Sequence, residues 1–136
     1  MTTISGACLC GAVRYRCTAP AVLSGNCHCR DCQRSSGSAY APTFFVPQQA
    51  LEISGEVAYY GSPGSSGRIV RRGFCPSCGS QLFGIAEAMP GLVGVRAGTL
   101  DDASQYVPHV DIFVGQAAPW DHLPENAVCF AGAPPR

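Results

Sequence analysis

The chain contains no lysine, and all nine of its basic residues are arginine. Nine acidic residues balance them, so the formal net charge is zero. Only 13% of the residues are charged, where a globular protein carries about a quarter. A nucleic-acid binder draws its affinity from a basic excess, and none is present, so nucleic acid is not an expected partner. The one basic cluster, Arg68, Arg71 and Arg72, is predicted to lie on a solvated strand face. A surface so poor in charge is either loop built from Gly, Pro and Ser or is covered by a partner. No apolar run approaches the roughly 20 residues of a membrane span, so no membrane role is expected. Residues 1–10 lack a basic segment followed by an apolar one, the pattern of a secretory signal. A reducing, cytoplasmic setting is the expectation.

No segment sustains a 3.6-residue period over three turns, which leaves strands as the main elements. Val13, Tyr15 and Cys17 alternate with Arg14 and Arg16, as in a strand with one buried face, and Cys17 reads as a core thiol. Further strands are predicted at 40–46, at 51–53 and 56–60 around a turn at Ser54-Gly55, and at 68–74, 81–83, 92–97 and 110–114. Pro42 and Pro47 suggest an edge or irregular strand for 40–46. Arg30 to Ser36 is predicted to form a short helix, ended by Gly37. The glycines of 61–67 lack the lysine of a phosphate-binding loop and read as a flexible tip. There are no internal repeats. The expectation is a mostly β single domain over residues 1–136, with its core at about 6–120 and one or two short helices. A chain of 136 residues buries roughly two-thirds of its unfolded surface, enough for a real core.

Nine cysteines is an odd number, and seven fall in Cys-x-Cys or Cys-x-x-Cys spacings that read as metal sites rather than disulfides. Cys27-His28-Cys29-Arg30-Asp31-Cys32 packs three thiols into six residues. Zinc holds four ligands with Zn–S near ~2.3 Å, and a Cys-x-Cys on extended backbone turns both sulfurs to one side. A turn can then bring Cys32 to the same point. Cys8-Leu9-Cys10 and Cys75-Pro76-Ser77-Cys78-Gly79 supply four more thiols, although spacing alone would also let the first pair join the central trio. Proline and glycine give the second motif the look of a zinc knuckle. A redox Cys-x-x-Cys usually opens a helix, whereas here a strand follows.

The trio leaves one coordination position free, as catalytic zinc sites do. Three thiolates exceed the charge of a divalent ion, so such a centre suits a soft thiol better than water. His109, His122, Cys129 or Cys17 could instead close the site. His28 faces away from its neighbours, either as a proton carrier or as a hydrogen-bonded scaffold residue. Arg30 and Arg34 lie one helical turn apart and could hold a substrate carboxylate, with surface solvation the plainer alternative. His109 and Trp120 line a cleft or pack in the core.

Cys8-Leu9-Cys10-Gly11-Ala12-Val13, Cys27-His28-Cys29-Arg30-Asp31-Cys32-Gln33 with Gly37, and Phe74-Cys75-Pro76-Ser77-Cys78-Gly79 together resemble the glutathione-dependent formaldehyde-activating enzyme family. That family includes the centromere protein V-like proteins. Gly98-Thr99-Leu100-Asp101, Pro108-His109 and Pro119-Trp120 fit its later pattern, so the resemblance runs from about Gly6 to Trp120. It implies two packed antiparallel sheets in a tent-like arrangement. It also implies a structural zinc at Cys8, Cys10, Cys75 and Cys78, and a second zinc at Cys27, Cys29 and Cys32 where glutathione sulfur can bind. The implied activity is that of a carbon–sulfur lyase similar to S-(hydroxymethyl)glutathione synthase, joining glutathione to formaldehyde. The competing function is a non-catalytic, zinc-stabilised protein-binding module; a redox or metal-buffering role stands third. The expected partners are a small thiol and an aldehyde, and oligomeric state is left open.

Overall fold

Alternation of side chains along one β-strand decides the architecture. In a computed structural model, which describes residues 3–125 and 127–134, ten strands and one α-helix are formed. In chain order these are β1 (Ile4–Ala7), β2 (Arg14–Cys17), β3 (Leu23–Cys27), α1 (Arg30–Ser36), β4 (Ala41–Pro47), β5 (Leu51–Ser54), β6 (Ala58–Pro63), β7 (Ile69–Phe74), β8 (Gln81–Ala86), β9 (Leu92–Arg96) and β10 (Val110–Ile112). Met1, Thr2, Pro135 and Arg136, the ends of the expected 1–136 span, lie outside the described residues.

Strands β1, β2 and β5 form a three-stranded antiparallel sheet in the order β1-β2-β5. The other seven form a sheet in the order β10-β3-β4-β9-β8-β7-β6. Its pairings are antiparallel except that β10 runs parallel to β3. The result is a mostly β single domain of two sheets with one helix, as anticipated.

Phe44 and Val46 of β4, Phe83 of β8, and Val93 and Val95 of β9 pack with Tyr15 and Cys17 of β2 in one core. Tyr15 meets Phe83 edge-on, with ring centroids 5.7 Å apart, and its hydroxyl shares a 2.8 Å hydrogen bond with Thr99. Cys17 is fully buried there, as its alternation predicted. The residues between these, Thr43, Phe45, Gly94 and Arg96 among them, turn to the opposite face of the large sheet and line a cavity. One face of the sheet thus builds the core and the other builds the site.

Three expectations are corrected. The 40–46 segment is not an edge strand, since β4 lies between β3 and β9. Its prolines are tolerated because Pro42 precedes the first pair with β9, Thr43 with Arg96, and Pro47 forms the last. The segments at 51–53 and 56–60 do form strands, but β5 joins the small sheet and β6 the large one. The third concerns 61–67, where β6 runs on through Pro63 and the turn is confined to Gly64–Gly67.

Candidate metal centres

Cys8 and Cys10 sit on a tight turn after β1, in which Gly11 N–H donates to Cys8 O at 3.1 Å. Cys75 and Cys78 sit on a second turn between β7 and β8, where Gly79 N–H donates to Cys75 O at 2.8 Å. Gly79 has φ +78°, a conformation that costs glycine nothing. The sulfurs of Cys8 and Cys10 are 3.7 Å apart, and those of Cys10 and Cys75 are 3.8 Å apart. All four sulfurs lie within 4.8 Å of one another. Backbone and hydroxyl donors surround them: Val13 N–H points at Cys8 Sγ from 3.3 Å, and Ser80 Oγ stands 3.2 Å from Cys78 Sγ. The Ser80 hydroxyl, with the N–H groups of Ser80 and Cys10, holds the Cys78 thiol down to about 5. Ser80 Oγ also accepts from Leu9 N–H at 3.0 Å, so one hydroxyl fastens both turns. Four sulfurs at this spacing, with donors aimed at them, fit a tetrahedral metal ion.

The second cluster spans the junction of β3 and α1. Cys27 ends β3, Cys29 caps the helix, and Cys32 lies on its first turn. Cys29 Sγ accepts the Cys32 N–H at 3.3 Å. Gly37, at φ 66°, closes the helix as its position suggested. The three sulfurs again lie within 4.8 Å of one another, and among the described residues no fourth His, Cys, Asp or Glu joins them. Cys17 is in the core and Cys129 bridges β10, while His109 and His122 are exposed. The trio faces a cavity of about 410 Å³. Hydrogen bonds from Cys27 and Cys29, and then the charges of Arg96 and Arg72, pull the Cys32 thiol far below its ordinary value. Cys27 is displaced upward, first by Cys29, then by Cys32 and by burial.

Arg72 and Arg96 are the residues that sequence reasoning missed. Arg72 was expected on a solvated face with Arg68 and Arg71, but it is only 9% exposed and lines the cavity. The other two behave as expected: Arg68 and Arg71 are exposed, with Arg71 stacked over Tyr59. Burial pushes Arg96 below its ordinary value, and the Cys32 sulfur opposes that shift.

His28 does not face the cavity. Its ring is fully buried, with Nε2 2.8 Å from Asp111 Oδ1 and Nδ1 3.4 Å from Asp121 Oδ2. Asn26 Nδ2 donates to the same Asp111 oxygen at 3.2 Å, and Gln33 Nε2 donates to His28 O at 2.7 Å. This network fixes the backbone between Cys27 and Cys29. Arg30 is exposed, hydrogen-bonded to Gln33, and lines the cavity; Arg34 is exposed and does not. Trp120 is 67% exposed and His109 is exposed, so neither packs in the core or lines the cavity.

The family model for glutathione-dependent formaldehyde-activating enzymes matches residues 3–116. The chain belongs to that family. A Halomonas elongata protein provisionally named as a glutathione-dependent formaldehyde-activating enzyme is 29% identical over a 145-residue alignment, covering 96% of this chain and 88% of the relative. A Rhodobacter sphaeroides protein of known crystal structure is similar in fold. It has a TM-score of 0.56 and 22% identity, over 71% of this chain and 87% of that one. Both cysteine clusters lie inside the matched span, at positions where metal ions could be held. No helix among the described residues is long and apolar enough to cross a membrane.

Proposed function

We propose that this chain is a zinc-dependent enzyme of the carbon–sulfur lyase type. It forms or breaks the adduct between a small thiol, glutathione in the family's naming, and a small aldehyde such as formaldehyde. The observation that carries this reading is the three-sulfur cluster facing a cavity, with no fourth ligand among the described residues. Cys8, Cys10, Cys75 and Cys78 would hold a structural zinc, and Cys27, Cys29 and Cys32 a second one. Zinc bound by the trio supplies a centre that favours a soft sulfur ligand in its ionised form.

The chain's own residues supply the rest. Leu23, Phe45, Val70 and Val110 give the cavity apolar walls. Arg30, which lines the cavity, would meet a carboxylate of the thiol; Arg34, one turn further along the helix, is not among the lining residues. The addition forms a carbon–sulfur bond, and the carbonyl oxygen takes up one proton as the thiol gives one up. That proton comes from water, because His28 is sealed between Asp111 and Asp121 and serves as scaffold. A reducing, cytoplasmic setting is consistent with nine free cysteines, of which Cys10 and Cys129 are exposed.

The closed-module alternative requires two saturated metal sites, and the trio offers three ligands. The test is the exchange rate between ¹³C-formaldehyde and its glutathione adduct, read by NMR. Wild-type protein accelerates exchange; folded Cys29→Ser, lacking the second metal, does not. Full acceleration by that variant would refute the mechanism.

A further inference from the structure

Arg72 and Arg96 have no task in the reading above, yet both line its cavity. Each has a buried Nε atom without a hydrogen-bond partner. Their side chains donate to neutral hydroxyls: Arg96 Nη1 to Thr43 Oγ1 at 3.0 Å, and Arg72 Nη1 to Ser62 Oγ at 3.4 Å. No carboxylate pairs with either among the described residues. A guanidinium stays charged inside a protein, and a buried charge without a counter-ion is costly. Gly84, paired with Arg72 across the ladder, presents no side chain; a Cβ there would stand 3.7 Å from Arg96 Nη1. The space beside the two guanidinium groups is thus left open.

The charges around the cavity point to the occupant. Arg30 and Asp31 also line it, both exposed, and they offset each other. The remaining anionic groups are the sulfurs of Cys27, Cys29 and Cys32. Three thiolates and a divalent ion sum to −1, which leaves one of the two guanidinium charges unmatched. A fourth sulfur bound as thiolate brings the sum to −2 and matches both. Water or imidazole leaves the imbalance in place. The walls are largely apolar, so these charges are weakly screened.

We infer that Arg72 and Arg96 determine ligand specificity, making the fourth position beside the cysteine trio selective for a small anionic thiolate over neutral donors. The inference rests on metal binding by the trio, and its test separates the two.

Cobalt(II)-loaded protein is titrated at fixed pH with 2-mercaptoethanol, which has no carboxylate, with 3-mercaptopropionate, which has one, and with imidazole, following cobalt absorption. Arg96→Gln weakens mercaptoethanol binding roughly tenfold or more, while imidazole binding holds or tightens. Arg96→Lys, which keeps the charge, restores most of the thiol affinity. Arg72→Gln behaves like Arg96→Gln. If it does not fold, as its circular dichroism would reveal, the two Arg96 variants decide alone. Equal losses for both ligands, or no loss for either, would overturn the inference. So would a loss confined to 3-mercaptopropionate, because the guanidinium groups would then be gripping a carboxylate. Wild-type protein that takes up no thiol would overturn the proposed function and this inference together, before any arginine variant is made.

Discussion

Cys10 and Cys75 stand 65 positions apart in the chain and bring their sulfurs to 3.8 Å of one another. The contact joins the turn after β1 to the turn before β8, and thus the small sheet to the large one. Structural zinc in such a cluster contributes about 10 kcal/mol or more of apparent folding free energy. Whole domains are stable by about 5–15 kcal/mol. Removing metal with a strong chelator is therefore expected to abolish the cooperative thermal transition seen by circular dichroism. Cys75→Ser is expected to do the same, whereas Cys29→Ser keeps a cooperative transition.

Ser80 reaches both turns through one hydroxyl, to Leu9 N–H and to Cys78 Sγ. Ser80→Ala removes that bridge and leaves the four sulfurs in place. Loss of a partner that orients a ligand typically lowers metal affinity about 10- to 100-fold. Competition against a chromophoric chelator measures this, and only the four-cysteine site is expected to weaken.

His28, Asp111 and Asn26 form a buried polar group behind the trio. Asp111→Ala strips both bonds from a site that is 5% exposed. Losing hydrogen bonds to a buried carboxylate is expected to cost about 1.5–3 kcal/mol in denaturant unfolding. The same variant is expected to loosen metal at Cys27, Cys29 and Cys32, because His28 lies between two of them.

Tyr15→Phe tests the contact between the sheets more gently. The ring stays against Phe83, and only the hydrogen bond to Thr99 is lost. Thr99 Oγ1 still donates to Arg96 O at 2.7 Å, so no polar atom is stranded. A loss of about 1 kcal/mol is expected from the urea midpoint, with an unchanged slope.

The two cysteine clusters were legible because Cys-x-Cys and Cys-x-x-Cys are local patterns that survive any fold. The helix from Arg30 to Ser36 was legible for the same reason, since Gly37 marks its end. Arg72 was not. An arginine in an alternating strand is usually solvated, and its burial depends on what β8 and β9 place beside it. Gly84 and Arg96 meet it only through sheet order, which spacing does not encode. The same holds for Pro42 and Pro47, whose tolerance in a central strand depends on where pairing with β9 starts and stops. Residues 51–60 looked like two strands around one turn because nothing local says that β5 and β6 enter different sheets. Family resemblance supplied what spacing left open, the pairing of Cys8 and Cys10 with Cys75 and Cys78, and the geometry agrees.

The most direct test of the central claim is a glutathione titration of protein carrying two cobalt ions per chain. A new thiolate-to-cobalt absorption band is expected, saturating at one glutathione per chain and absent in Cys29→Ser. A spectrum that is fully sulfur-ligated at both metals from the start, and unmoved by glutathione, would contradict it.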